Sequence, residues 1–378
     1  MTDIFISADT IISPVATTTA DNFERLTQNI SGIKLHTGSP FSAQPFYASL
    51  FEENTVFNVD AESGKYTRFE NLLIAAVGGV LAKSNISAAD KRTVLIISTT
   101  KGNISLLETA PPPSGLNKRI SLNTSARLVA GHFGFIHPPV IVSNACISGI
   151  LAILTGIRLI RSGQYDHAVI AGADVITRFV LSGFQSFQAI SSLPCKPFDA
   201  GRDGINLGEG AASMIITSGK AYSSGVKAVA GSVSNDANHI SGPSRTGEEL
   251  NLAITRTMHA AGLSAKDVDF ISAHGTATVY NDEMEAKAIN LANLQSVPVN
   301  SLKGYYGHTL GAAGLIESVI SIQSLKENTV IPTLGYTKMG VTQPVNVCSS
   351  LYKNELTHCL KTASGFGGCN AAILFSKE

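Results

Sequence analysis

The sequence predicts an α/β fold of two related halves, and three observations carry that expectation. Short β-branched runs alternate with helical patterns along the 378 residues, as layered α/β proteins require. Those runs are almost continuously apolar, so their sheets should be covered on both faces. Two long apolar helices each follow a short loop with a reactive side chain, which suggests a duplicated unit.

The strands expected in order are "TVLIIST" (93–99), "PVIVS" (139–143), "AVIAGADV" (168–175), "ASMIIT" (212–217), "DFISAHG" (269–275) and "AAILF" (371–375). "ISGILAILTGIRLIRSG" (147–163) reads as a buried helix with basic residues near its C-terminus and Gly163 as its stop, as the helix dipole and a left-handed cap favour. "GAAGLIESVISIQSLKENT" (311–329) repeats that design, ending at Lys326 and polar residues. Cys146 opens the first helix and His308 the second. The first sixty or so residues and the Pro/Ser/Asn-rich piece at 110–124 read as decoration or loop.

At 44% hydrophobic and 15% charged residues the chain can bury a large core, which excludes disorder and small disulfide scaffolds. Lys+Arg and Asp+Glu both number 28, so no net charge draws the chain to nucleic acid or an anionic membrane. The start, "MTDIFISADTIISPVATTT", carries an acid where a signal peptide needs positive charge. No apolar run approaches the roughly 20 residues of a membrane span. Five scattered cysteines without a CxxC fit neither a disulfide framework nor a zinc ribbon. A cytoplasmic protein with reduced thiols is expected.

Cys146, in "VSNACISGI" (142–150), has two readings. A free cysteine commonly packs as a small hydrophobe, whereas one at a helix N-terminus has its thiolate favoured and becomes a nucleophile. His274 follows a predicted strand in "SAHGTATVYNDEMEA" (272–286). "SLKGYYGHTLGAAGLIE" (301–317) brings Lys303, His308 and Glu317 among small residues that let a backbone approach a ligand. "ASGFGGCN" (363–370) is a glycine-rich turn able to offer a backbone N–H to an oxyanion; it lacks the phosphate-loop pattern. A zinc site from Cys146, His274 and His308 is the different-class alternative. No two of them form a close-spaced ligand pair, so no metal is expected.

Taken in order, "NACISG", "PFDAGRDGINLGEGAA" (197–212), "NDANHISGP" (235–243), "AHGTATVYNDEMEA", "SLKGYYGHTLGAAGLIES" and "GFGGCNAAILF" resemble the signature blocks of the β-ketoacyl-acyl carrier protein synthases. These are condensing enzymes of the thiolase superfamily. The resemblance runs from about residue 90 to the C-terminus and looks most like the elongating type. It implies a thiolase-like fold of two pseudo-symmetric βαβαβ halves in five layers, α-β-α-β-α. Residues 1–220 would carry the nucleophilic cysteine and 221–378 the two histidines.

The same resemblance implies roles. Cys146 would take an acyl chain from the phosphopantetheine of an acyl carrier protein, with no other cofactor bound. His274 and His308 would hydrogen-bond the malonyl thioester carbonyl while decarboxylation makes it an enolate. The backbone of Cys146 and Phe366 would form the oxyanion hole, and the Phe366 ring would gate the acyl pocket. Lys303 and Glu317 would support the site electrostatically, with Asp282 and Glu285 behind them. Thr276, Thr278, His239, Tyr306 and Gly367 would line the substrate's path. Arg202, Asp203 and Glu209 would brace loops, and Cys369 would be a packing residue. A homodimer is implied, with a heterodimer of two synthase subunits as the variant.

Some positions depart from the family's pattern. Tyr305 and Tyr306 stand where smaller residues are usual, and should narrow or re-aim the pantetheine tunnel. Ser364 replaces a phenylalanine, leaving space beside the gate. The usual opening strand and turn look absent and the capping loops trimmed, which favours a specialised polyketide, polyene or pigment pathway over primary fatty-acid elongation. A non-catalytic chain-length partner would lack the nucleophile that Cys146 supplies. A non-decarboxylating thiolase is opposed by the second histidine and "GHTLGAAG".

Overall fold

The structure is a computed structural model that describes residues 2–55, 57, 65–109, 111–112 and 114–378. Ten of its strands are β1 (Phe5–Ile12), β2 (Thr93–Ser98), β3 (Val140–Val142), β4 (His167–Asp174), β5 (Gly210–Thr217), β6 (Val226–Asn235), β7 (Phe270–Ser272), β8 (Pro298–Asn300), β9 (His358–Gly365) and β10 (Cys369–Lys377). With the two-residue edge strand Asn346–Val347, they form one hydrogen-bonded sheet. From a central seam outward, one side runs β1, β5, β4, β2, β3 and the other β6, β10, β9, β7, β8. Each side thus runs first, fifth, fourth, second, third strand of its own half. The pairings also match, two antiparallel then two parallel on each side. The sides meet through one residue pair, Phe5 with Lys227.

The helices that frame the sheet are α1 (Thr19–Thr27), α2 (Arg68–Leu81), α3 (Leu122–Phe133), α4 (Ser148–Arg161), α5 (Arg178–Ser186), α6 (Glu248–Ala261), α7 (Val279–Leu291) and α8 (Ala313–Glu327). α4 and α8 pack against each other and against strands of both halves, and share one apolar cluster. A second cluster lies under α2 and α3, and a third under α6 and α7. The result is the five-layered α-β-α-β-α arrangement. A Cβ on Gly149 would lie 2.4 Å from the backbone nitrogen of Leu315, so α4 and α8 cross at backbone contact. Their N-terminal loops, with Cys146 and His308, are thereby brought to one place.

Two expectations are corrected. Residues 5–12, read as decoration or as a missing strand, form β1 beside the central seam. "FISADTII" hid it because Asp9 interrupts the apolar run; inside the fold Asp9 accepts a hydrogen bond from Gln323 on α8 at 3.1 Å. In the 110–124 piece, Leu116–Arg119 is a helical turn and α3 begins at Leu122, while residues 110 and 113 lie outside the described residues.

Candidate active site

Cys146 sits on a tight elbow between β3 and α4. Ala145 before it has φ 44°, a left-handed conformation costly for a side chain with a Cβ. Ser148 holds the elbow, accepting from Asn144 N–H at 2.8 Å and donating to the Ala145 carbonyl at 2.7 Å. His308 stands between a helical turn, Lys303–Tyr306, and the approach to α8, with its N–H bonded to the Asn206 carbonyl at 2.7 Å. His274 leaves the end of β7. One ligand-type atom from each of the three lies within 4.8 Å of the others, and the two imidazole rings are 5.1 Å apart at 82°.

Hydrogen bonding assigns the His308 tautomer. Its Nδ1 accepts the Leu310 N–H at 3.1 Å, so in the neutral ring the proton is on Nε2. That Nε2 is buried and has no partner among the described residues. Burial, then the charge of Lys303, holds His274 and His308 well below the usual imidazole range, so both are neutral donors. At Cys146, burial pushes the thiol up to about 12 and the nearby Cys369 adds to the rise. This reverses the lowered pKa expected from the helix start alone. The charge of Lys303 and the backbone of Phe366 act in the opposite direction.

Behind the histidines lies a buried charge cluster. Lys303 donates to the His274 carbonyl at 3.1 Å and pairs with Glu317. The other Glu317 oxygen pairs at 2.8 Å with Lys361, a residue the sequence reading did not single out. Its signal was a lysine in the otherwise apolar stretch "CLKTA" of β9. Glu285 accepts the N–H groups of His274 and Gly275 at 2.8 and 2.6 Å. Asp282, pushed up to about 7 by burial, accepts from Phe198 N–H at 2.7 Å and Ala277 N–H at 3.2 Å. Both carboxyls therefore shape the His274 loop from α7. The Cys146, His274 and His308 atoms are close enough for a metal, but Lys303 and Lys361 set two ammonium charges against a cation there.

A cavity of about 340 Å³ opens onto the three residues. Phe366, Thr276, Thr278, His239 and Ser364 lie on its wall. Phe366 is stacked on Phe184 of α5 at 5.7 Å and meets Phe187 edge-on at 5.6 Å. Those two partners were missed, because aromatics on a short amphipathic helix read as core. Ser364 donates to Asn370 at 2.7 Å.

Two expected wall residues lie elsewhere. Tyr306 is buried in the central apolar cluster with its hydroxyl on Asn22 of α1 at 3.1 Å, and Tyr305 reaches Asn29 at 2.9 Å. These phenols fill the space between α1 and the Lys303 turn rather than narrowing a tunnel. The Gly367 N–H is taken by the Ile240 carbonyl at 2.7 Å. Arg202, Asp203 and Glu209 bind loop groups: Arg202 the Gly340 carbonyl, Asp203 the Ser191 hydroxyl, and Glu209 the N–H groups of Phe51 and Ile176. Cys369 is buried, its sulfur against the Phe366 carbonyl.

Comparison with known proteins gives two family matches, "Beta-ketoacyl synthase, N-terminal domain" over residues 2–221 and "Beta-ketoacyl synthase, C-terminal domain" over 226–337. The chain belongs to the beta-ketoacyl synthase family. In this beta-ketoacyl synthase chain Cys146 lies in the first matched segment, and His274 and His308 in the second. It is 34% identical over 247 residues to 3-oxoacyl-[acyl-carrier-protein] synthase 2 of Mycobacterium leprae, covering 61% of this chain and 59% of that one. It is 30% identical over 281 residues to a putative mitochondrial 3-oxoacyl-[acyl-carrier-protein] synthase of Schizosaccharomyces pombe, covering 68% and 66%. The matched stretches thus span less than two thirds of either relative.

Among solved structures, the ishigamide ketosynthase/chain length factor superposes with a TM-score of 0.91 at 22% identity, covering 100% of this chain and 99% of that one. A beta-ketoacyl synthase from Burkholderia phymatum STM815 gives 0.91 at 21% identity, covering 100% of both chains. Both carry the same fold.

Proposed function

We propose that this chain catalyses a decarboxylative Claisen condensation on thioesters delivered by an acyl carrier protein. The observation that carries the reading is the convergence of Cys146 with two neutral imidazoles, one presenting an unpartnered Nε2–H to the cavity. Residues 1–220 supply the nucleophile and 221–378 the two histidines.

In the first half-reaction the Cys146 sulfur attacks the acyl thioester carbonyl. The developing oxyanion accepts the backbone N–H of Phe366. The phosphopantetheine thiol leaves with the proton that Cys146 gives up, and the chain stays as a thioester. In the second, the malonyl thioester loses CO₂ and the bonding pair passes into an enolate. His274 and His308 donate to its oxygen, a charge that grows only towards the transition state and so contributes to rate. The enolate carbon attacks the acyl-cysteine carbonyl, forming the C–C bond, and the Cys146 sulfur leaves as a thiolate that takes a proton from solvent.

Thr276, Thr278 and His239 line the path of the phosphopantetheine arm, which arrives on its carrier as the one group this chemistry needs. The Phe366 ring, stacked on Phe184 and met edge-on by Phe187, suits a flat, unsaturated chain, which favours polyketide or polyene assembly over primary fatty-acid elongation. We place the chain in the cytoplasm as a dimer. A homodimer is the first reading; relatives named as a ketosynthase with its chain length factor support a heterodimer as the second. A purely non-catalytic partner is opposed by the complete Cys146, His274 and His308 set.

The test supplies acyl-carrier proteins of differing length and unsaturation, then malonyl-carrier protein, and analyses the product. A β-ketoacyl chain two carbons longer supports the reading. No elongation with any primer, alone or with a second synthase subunit, overturns it.

A further inference from the structure

The four polar groups of the two peptide bonds on either side of His274 are each held by a buried charged side chain. Lys361 donates to the Ala273 carbonyl at 3.2 Å and Lys303 to the His274 carbonyl at 3.1 Å. The two oxygens of Glu285 accept the His274 and Gly275 N–H groups. Lys361 also donates to the Ser272 and Thr362 carbonyls at 3.1 and 2.7 Å, and it is fully buried. β7 and β9 already pair in parallel with Ser272 opposite Lys361, so no ammonium is needed to hold the strands together. Taking an ammonium out of water is costly, and this one is placed where the strand hands over to His274.

We propose that Lys361 is a positioning residue for the condensation step, fixing the His274 ring through the Ala273 carbonyl and Glu317 and adding positive charge behind both imidazoles. The inference rests on the proposed condensation. The charged and titratable groups around it are Lys303 on its turn, Glu317 on α8, Glu285 and Asp282 on α7, and the two histidines. In that setting two ammoniums share one Glu317 carboxylate, and the charges of Lys303 and Lys361 both act on the two imidazoles. The same charge helps hold the His274 and His308 imidazoles neutral.

The experiment separates the half-reactions in wild type, Lys361→Met and Lys361→Arg. Acylation of Cys146 is followed by intact mass, and condensation is timed from pre-acylated enzyme across pH. Lys361→Met should acylate within about threefold of wild type and condense about 10- to 100-fold more slowly. The acid limb of its condensation profile should move up towards the usual imidazole range, and Lys361→Arg should bring that limb back. Equal loss in both half-reactions, or condensation within threefold of wild type on an unmoved profile, overturns the proposal. Should Lys361→Met not fold, Lys361→Gln, which keeps a donor for the carbonyls, is judged by the same two rates and criteria. If wild type itself condenses no primer, the proposed reaction fails and this inference with it.

Discussion

The backbone N–H of Leu310 donates to Nδ1 of His308 across 3.1 Å, and this bond decides which ring nitrogen can serve a substrate. Nε2 is left as the donor, buried and without a partner among the described residues. His308→Ala should therefore lower condensation by about 100- to 1,000-fold while leaving acylation of Cys146 within a few-fold. His308→Asn, which restores an N–H donor, should recover part of the loss. Single-turnover rates of the two half-reactions check this; an equal loss in both would place His308 in acylation instead.

Because burial and Lys303 hold both imidazoles well below their ordinary range, they stay neutral where an ordinary imidazole would take up a proton. Lowering pH from 8 to about 6 should not reduce condensation through either ring. The check is the pH dependence of kcat/KM for malonyl-carrier protein with pre-acylated enzyme. An acid limb at about 6.5 or above would contradict neutral, electrostatically depressed histidines.

Asp282, with Arg202 no nearer than 3.9 Å, gives a stability prediction of opposite sign to that of a closely paired carboxylate. Its folded-state pKa is raised to about 7 by burial, so folding favours the protonated form. The stabilisation is complete below about 4 and is lost as pH rises through 7. Wild type should lose up to about 4 kcal/mol from this group across that window, and Asp282→Asn should lack that component. Urea unfolding of both proteins at pH 4.5 to 8 measures the difference, which should narrow as pH rises.

The α4–α8 crossing is equally specific. Gly149→Ala places a methyl group 2.4 Å from the Leu315 nitrogen, where backbone rather than a flexible side chain must give way, and should cost about 3 kcal/mol. Gly183→Ala, in α5 with nothing within 4 Å of its Cβ, should instead stabilise by about 0.5 to 1 kcal/mol. Denaturant midpoints of the two variants make the comparison.

Much of this was legible in the sequence because the chemistry sits at helix starts and strand ends. Cys146, His274, His308 and Lys303 lie in short local blocks, and their convergence follows from two buried helices with small residues at their N-termini. β1 was not legible, since Asp9 reads as solvent-facing until α8 supplies its partner. Tyr306 was misplaced for a related reason. A tyrosine next to Gly-His looks like a pocket residue, and only the packing of α1 shows that Asn22 takes its hydroxyl. Lys361 went unread because a lysine in a strand is ordinarily an edge or surface residue, and its three carbonyl acceptors and its ion-pair partner Glu317 come from the end of β7, from α8 and from its own strand. Such tertiary pairing leaves no local pattern.

The central claim is that Cys146 carries the growing chain. Its most direct test is intact mass with peptide mapping after incubation with acyl-carrier protein, for wild type and Cys146→Ala. An acyl mass on the peptide containing Cys146, absent from the variant and discharged by malonyl-carrier protein, is the result predicted. An acyl group on another cysteine such as Cys369, or the same labelling of the variant, would contradict the account.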